Sequence, residues 1–200
     1  MDKIEETLSS GGAVVLPTET VYGLFCKALD KQAVNHVYDL KDRPRDKALN
    51  LNVSSLEDIY QFSKHQPQYL ERLYRSFLPG PLTIILQANE QVPTWVNSGM
   101  KTIGFRVPSH PKTLDLIRKF GPLIGPSANL SGKSSGVNFQ QIMTDFNHEV
   151  LGIEDDAFLT GQDSTILDLS RETAHILRQG AVTRAEIFAK IPEISFQNMN

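Results

Sequence analysis

The chain has 200 residues, a formal net charge of −3 and a sequence pI near 5.9, and 40% of its residues are hydrophobic. This size and apolar content predict one domain with a sizeable core, covering residues 1–200. The acidic balance excludes a protein that coats nucleic acid through a broad basic face, although a local basic pocket is still allowed. The sequence has no run of about 18 apolar residues, so no membrane span is expected.

Thiol and metal chemistry are not indicated. Cys26 is the single cysteine and lies in an apolar stretch, where a small core residue is expected and no intramolecular disulfide can form. We therefore expect a reducing, cytoplasmic location, and the acidic N-terminus lacks the apolar segment of a signal peptide. The five histidines are scattered without metal-ligand spacing, so no protein-bound metal is expected.

Predicted helices and strands alternate along the chain. In order, the pattern predicts a helix at 2–9 closed by Gly11 and Gly12, a strand at 13–16, a helix capped by Asp30, a strand near 48–53, helices near 55–63 and 67–77, strands at 82–86 and 102–107, a helix at 111–120, a strand at 122–124, a helix capped by Asn138, strands at 164–169 and 174–178, and a helix capped by Thr183. Such interleaving indicates an α/β layered fold. Residues 193–200 are expected to form a loose tail.

The segment 41–47 carries four cations in seven positions, directly after a predicted helix. A solvated charged loop is one interpretation. A phosphate site is the other, because Pro44 stiffens the loop and because Arg43 and Lys47 are close enough in sequence to converge on one anion. Arginine offers a bidentate fork to phosphate, and lysine offers a mobile point charge.

Small polar side chains follow two predicted strands. Residues 17–23 end the first strand with hydroxyl, carboxylate and phenol groups, and Ser127 and Asn129 follow the strand at 122–124. Open α/β sheets tend to place their ligand crevice at such strand ends. Strand-ending turns with incidental polar caps are the alternative interpretation.

Arg106 lies in an otherwise apolar strand, where a buried guanidinium needs an anionic partner. That partner is either a structural Asp or Glu or the carboxylate of a ligand. Ser164 and Arg178, on the last two predicted strands, are likewise either structural residues or ligand contacts.

The chain lacks a Gly-x-Ser-x-Gly nucleophile elbow. Cations and positioning groups without a covalent catalyst suit phosphoryl or nucleotidyl transfer.

Taken in order, these runs resemble the YrdC-like family, whose cytosolic members are threonylcarbamoyl-AMP synthases. The resemblance spans about residues 10–182, and the joint Lys-x-Arg and Ser-x-Asn pair is its specific part. It rests on Pro17–Gly23, the Lys-x-Arg at 41–43, Pro79–Thr83, Arg106–Pro108, the Ser-x-Asn at 127–129, and Ser164-Thr165. The resemblance implies a single-domain, twisted, open mixed sheet with flanking helices and a ligand in a concave crevice, in the short form that lacks an extra C-terminal domain.

The resemblance also implies a reaction. L-threonine, bicarbonate or CO2, and ATP would give threonylcarbamoyl-adenylate and pyrophosphate, with Mg²⁺ bridging the phosphates of ATP. Other proteins would then transfer the threonylcarbamoyl group to the adenosine beside the anticodon of certain tRNAs, and the resemblance leaves open a weak contact of this chain with tRNA. No membrane partner is implied.

Family roles carried onto matching positions give an expected site. Lys41, Arg43 and Ser127 are the expected catalytic residues, with Ser127 between the two ligands. The expected nucleotide contacts are Lys41, Arg43, Lys47, Thr102, Asn129 and Arg178. The expected threonine contacts are Thr20, Arg106, Ser127 and Ser164, with Arg106 on the carboxylate.

The chain departs from the family pattern at three places. Asn52 replaces a histidine near the threonine side, Gln179 replaces a proline, and residues 134–137 replace a frequent Pro-Ser-Pro-Thr.

Two other functions stay open: a non-catalytic RNA-binding module, and an O-carbamoyl-transfer domain of the kind embedded in hydrogenase-maturation proteins. The acidic charge and the absence of clustered aromatics count against the RNA-binding module.

Overall fold

The computed structural model describes residues 2–197 as eight helices, one short 3-10 turn and ten strands. The helices are α1 (Lys3–Ser9), α2 (Lys31–Leu40), α3 (Leu56–Phe62), α4 (Leu70–Phe77), α5 (Thr94–Asn97), α6 (Pro111–Phe120), α7 (Phe139–Asp145) and α8 (Arg184–Lys190). The strands are β1 (Val14–Leu16), β2 (Gly23–Lys27), β3 (Leu51–Asn52), β4 (Ser63–Lys64), β5 (Leu82–Ala88), β6 (Thr102–Arg106), β7 (Leu123–Ile124), β8 (Leu151–Gly152), β9 (Thr165–Asp168) and β10 (His175–Arg178).

The strands form one open mixed sheet. Its order is β10-β9-β5-β6-β3-β7-β2-β1-β8, and β4 pairs with β5 outside this path. The pairs β1–β8, β3–β6 and β5–β9 are parallel, and the other pairs are antiparallel. The expected α/β fold with an open mixed sheet and flanking helices is confirmed.

Both faces of the sheet are covered, which explains why several strands are apolar at every position rather than at alternate ones. Val14 and Leu16 on β1 pack with Leu8 of α1 and Ile117 of α6 in a small cluster on one face. Val15, between them, belongs to the main core on the opposite face. Successive strand residues point to opposite faces, so both faces need apolar residues here.

The helix caps expected from the sequence are present. Asp30 Oδ1 accepts from the backbone N–H groups of Gln32 and Ala33 at 3.0 and 3.1 Å. Asn138 caps α7 in the same way, and Thr183 caps α8 with a reciprocal contact from Glu186. These contacts satisfy N–H groups that have no partner within the helix, and they fix where the helices begin.

The expectation of a loose tail is wrong for residues 193–197. Ile194 is buried, and Phe196 forms a parallel bridge with Ala174 next to β10. Ala174 N–H donates to the Ser195 carbonyl at 2.7 Å, and Gln197 N–H donates to the Ala174 carbonyl at 3.0 Å. Apolar side chains and backbone pairing therefore hold this segment against the sheet. The rest of the expected tail, residues 198–200, lies outside the described residues.

Candidate active site

A crevice of about 330 Å³ opens where several strand ends meet. Segments from both the N-terminal and the C-terminal parts of the chain form its wall. Its polar lining consists of Thr18, Tyr22, Arg43, Asn50, Asn52, Thr83, Arg106, Ser127, Asp163, Ser164 and Arg178. The volume is at the lower end of the range of about 300–1,000 Å³ typical of small-molecule sites.

Two glycines shape the crevice next to an aromatic ring. Gly23 and Gly125 both line it, and a Cβ atom at either position would overlap the ring of Phe25. The Phe25 ring can therefore lie against both positions only because they have no side chain.

Arg106 ends β6 and points its guanidinium at the loop after β1. Its Nη2 donates to Glu19 Oε1 at 2.7 Å, to Thr20 Oγ1 at 2.6 Å and to Thr18 Oγ1 at 3.2 Å. The structural carboxylate that the sequence left open as a partner is therefore Glu19. No described residue accepts a hydrogen bond from Nε or Nη1 of Arg106, although Nε is buried.

Glu19 is held in its ionised form by these contacts. Burial alone would raise the pKa of its carboxyl group, but the Arg106 charge and the hydrogen bonds from Ser109 N–H and Arg106 outweigh burial and lower the pKa. The ion pair is nearly buried, with 14% of the Arg106 side chain and 12% of the Glu19 side chain exposed. Such a pair fixes the guanidinium at the edge of the crevice, where it can meet an anion.

Lys41 is the C-cap of α2 and is 1% exposed. Its ammonium donates to the backbone carbonyl of Ser127 at 2.5 Å and also to that of Asn129. Burial, and then the nearby Arg43 charge, lower the pKa of Lys41 from 10.5 to about 8. Lys41 thus ties the end of α2 to the Ser127 loop and has one N–H left for another acceptor.

Ser127 and Asn129 form one unit beneath this lysine. Ser127 Oγ donates to Asn129 Oδ1 at 2.5 Å, and Asn129 Nδ2 donates to the carbonyls of Leu130 and Lys133 at 3.0 and 2.9 Å. Ser127 lines the crevice, whereas Asn129 lies just outside its wall. The Lys-x-Arg and Ser-x-Asn runs, eighty or more residues apart, are therefore brought into direct contact.

Only Arg43 of the pair Arg43 and Lys47 lines the crevice, although Arg43 Nε donates to the Lys47 carbonyl at 3.4 Å. Arg43 lines the crevice and is steadied by the Ala48 carbonyl, which accepts from its Nη2 at 3.0 Å. Lys47 is exposed and is not part of the crevice wall. The predicted convergence of the two side chains on one anion is thus not seen, and a nucleotide contact by Lys47 stays a prediction.

Ser164 and Arg178 meet on the opposite wall. Arg178 donates through Nε and Nη2 to the Ser164 carbonyl at 3.1 and 2.9 Å, and through Nη2 to Ser164 Oγ at 3.1 Å. Ser164 Oγ also lies 3.0 Å from Thr83 Oγ1. Three other expected residues are outside the wall: Lys41 is buried against the carbonyls of Ser127 and Asn129, Thr102 is at the end of β6 away from Arg106, and the Thr20 hydroxyl faces Arg106. Their ligand contacts stay predictions.

Three crevice residues were missed as site candidates. Thr83 is a single hydroxyl in the apolar strand 82–86, Asp163 is an acid next to Ser164, and Asn50 precedes β3. A polar residue inside a buried strand was the signal that identified Arg106, and the same signal would have identified Thr83. Asp163 and Asn50 are in loops, where polar residues are common and give no such signal.

Together, the fold and the crevice define an open α/β domain with a crevice lined by three arginines. The family model Sua5/YciO/YrdC, described as "Telomere recombination", matches residues 6–180, and the chain belongs to this family. The resemblance found in the motifs is thereby confirmed.

Known relatives agree with this assignment. The chain is 37% identical over 189 residues to a threonylcarbamoyl-AMP synthase of Pyrococcus abyssi, covering 94% of this chain and 56% of that protein. A crystal structure of P. abyssi Sua5 complexed with L-threonine superposes with a TM-score of 0.87 at 34% identity, covering 97% of this chain and 58% of the other. Escherichia coli YciO gives a TM-score of 0.81 at 27% identity, covering 92% and 91%. The chain therefore spans little more than half the length of its P. abyssi relative.

Two classes of feature are not found within residues 2–197. No helix there is long and apolar enough to cross a membrane. No group of three or more His, Cys, Asp or Glu residues in that range could hold a metal ion.

Proposed function

We propose that the chain is a threonylcarbamoyl-AMP synthase. It would convert L-threonine, bicarbonate (or CO2) and ATP into threonylcarbamoyl-adenylate and pyrophosphate. The observation that carries this proposal is that one crevice is lined by Arg106 and by Ser127, and that Ser127 is hydrogen-bonded to Lys41 and Asn129 just outside the wall. A P. abyssi relative bears this name, and P. abyssi Sua5 has been crystallised with L-threonine.

Arg106 is the proposed partner of the threonine carboxylate. One of its terminal nitrogens is held by Glu19 and two threonine hydroxyls, which leaves Nη1 for a ligand. Ser164 and Ser127, on other walls of the crevice, would orient the amino acid. The Thr20 hydroxyl, which accepts a hydrogen bond from Arg106, would also contact the threonine substrate.

Arg43, Arg178 and Lys41 are the proposed phosphate contacts, with Lys47, Thr102 and Asn129 in support. Arg43 and Arg178 line the crevice, and Lys41 has a free N–H. These charges would stabilise pyrophosphate as it leaves, while Ser127 positions the carbamate for attack on the α-phosphate. Mg²⁺ would be bound through phosphate oxygens and water, since the described residues offer it no cluster of carboxylates.

The product would pass to proteins that modify the adenosine beside the anticodon in tRNA, and we propose a cytoplasmic location for this step. The RNA-binding alternative is not favoured, because the chain's relatives are named as synthases and because its arginines converge in a crevice rather than across a face.

Pyrophosphate release from ATP, with Mg²⁺ and bicarbonate and with or without L-threonine, tests the proposal. We expect threonine-dependent release and a product with the mass of threonylcarbamoyl-adenylate. Lys41→Ala should lower the rate on the order of 10²-fold, whereas Lys112→Ala, which removes an exposed cation outside the crevice, should not change it. Folded wild-type protein that releases no pyrophosphate would refute the synthase assignment.

A further inference from the structure

The crevice contains a carboxylate that the proposed reaction has not yet used. Among the described residues that line it, three are arginines and one, Asp163, is acidic. A negative charge there weakens the binding of any polyphosphate by like-charge repulsion.

Arg178 is an incomplete partner for Asp163. Its Nη1 is 3.7 Å from Asp163 Oδ2, beyond hydrogen-bond distance, while its Nε and Nη2 donate to Ser164. Asp163 Oδ1 lies 3.4 Å from Ser135 Oγ, which is a long contact. By comparison, Glu19 accepts from Arg106 and Ser109 at 2.7 and 2.8 Å. Asp163 is 38% exposed and has unused acceptor capacity.

Backbone contacts link the segment that contains Asp163 to the loop that holds Arg106. Gly161 N–H donates to the Thr20 carbonyl at 2.9 Å, and Thr20 Oγ1 accepts from Arg106 at 2.6 Å. Asp163 follows Gly161 by two residues, a span of at most about 7 Å. One crevice therefore presents in its lining both the Arg106 guanidinium and a carboxylate with free acceptor sites.

This pair matches the charges of an α-amino acid, which carries a carboxylate and an ammonium on the same carbon. We propose that Asp163 binds the α-ammonium of the amino acid substrate while Arg106 binds its carboxylate. This inference rests on the proposed function and adds a residue that selects for the amine.

Binding of two ligands separates this role from a structural one. The probes are L-threonine and (R)-3-hydroxybutyrate, which has the same carboxylate, hydroxyl and methyl group but no amine. Calorimetry would measure both with wild type, Asp163→Asn, Asp163→Glu and Asp115→Asn. Asp115 pairs with Arg118 at 3.0 Å on α6, so its substitution removes a comparable carboxylate–arginine pair outside the crevice.

Asp163→Asn should weaken L-threonine binding about tenfold to hundredfold, the value of one hydrogen bond between charged groups. Its affinity for (R)-3-hydroxybutyrate should be unchanged or higher, because a carboxylate near an anion is removed. Asp163→Glu should keep threonine binding within severalfold of wild type, and Asp115→Asn should match wild type. ATP affinity in Asp163→Asn should not fall.

Three results would overturn the inference. Equal losses for threonine and hydroxybutyrate would indicate a general change in the crevice, and unchanged threonine binding would exclude contact with the ammonium. A loss of ATP affinity without a loss of threonine affinity would indicate that Asp163 positions Arg178 or binds Mg²⁺. Absence of threonine binding by folded wild-type protein would refute the proposed function itself, so the two failures are distinguishable. Thermal melting of each variant identifies any that fail to fold; if Asp163→Asn does not fold, Asp163→Ser is measured with the same two ligands and should show the same selective loss of threonine binding.

Discussion

Replacing Glu19 with glutamine tests how Arg106 is held at the crevice. The Glu19 side chain is 12% exposed and accepts from Arg106 Nη2 at 2.7 Å and from Ser109 N–H at 2.8 Å. Glutamine keeps the shape and one acceptor oxygen but leaves the guanidinium without its counter-ion. Removing one partner of a buried ion pair costs about 3–5 kcal/mol. Because one acceptor remains, we expect a loss of about 3 kcal/mol in the free energy of unfolding, or roughly 6–12 °C in Tm.

The stability difference should depend on pH in a defined direction. The pKa of Glu19 in the folded protein is lowered from its ordinary 4.5, mainly by Arg106 acting against burial. A carboxylate whose folded-state pKa is lowered stabilises the protein above its unfolded pKa, and this stabilisation is lost as pH falls through the folded value. The difference between wild type and Glu19→Gln should be full at pH 7 and should shrink below pH 4.5.

Urea unfolding at pH 7 and at stepwise lower pH measures both effects. Glu71→Gln is the control, since it removes an exposed i,i+4 pair with Arg75 and should cost less than about 0.5 kcal/mol. If Glu19→Gln unfolds at the same urea concentration as Glu71→Gln, or if the difference persists unchanged at low pH, Glu19 is not the counter-ion that fixes Arg106.

Three further predictions concern other parts of the site. Because the pKa of Lys41 is about 8, ATP affinity measured without threonine should fall as pH rises through 8. Lys41→Met should lose this pH dependence, and an identical pH profile in the two proteins would contradict a contact between Lys41 and phosphate. Tyr22→Phe removes a buried hydroxyl that donates to Asp156 at 2.7 Å, so urea unfolding should show a loss of about 1–3 kcal/mol, and no loss would mean that the contact contributes nothing. Gly180→Ala places a methyl group against the backbone of Asp163 and Ser164, so it should raise the KM for threonine and lower Tm. Wild-type values of both KM and Tm would show that the backbone at this wall shifts to accept the methyl group.

Local sequence signals predicted most of the regular structure. Asp30, Asn138 and Thr183 each begin a helix where expected, because a side-chain oxygen accepts the N–H groups that the first turn leaves free. β2 was not predicted, since residues 17–23 were interpreted as a polar turn and the apolar stretch after Gly23 was not assigned to a strand. β4 and β8 have two residues each and depend on their partners, so no periodic pattern could indicate them.

The site was predictable as a set of residues but not as an arrangement. The sequence indicated that the 41–47 and 127–129 runs belong together, and the structure joins them through Lys41. It could not indicate that the Lys41 ammonium turns inward onto two carbonyls while Lys47 stays exposed. Both are lysines in one basic run, and only the tertiary position of the Ser127 loop distinguishes them.

The two halves of the proposed site are linked through backbone rather than through side chains alone. Thr160 N–H donates to the Glu19 carbonyl at 3.0 Å, and Gly161 N–H donates to that of Thr20 at 2.9 Å, so the segment leading to Ser164 supports the loop that holds Arg106. A substitution that displaces either segment should therefore change the binding constants of both threonine and ATP. Asp163→Asn leaves every backbone donor and acceptor in place. A selective loss of threonine binding in this variant would therefore report the side-chain charge itself and not a shift of the crevice wall.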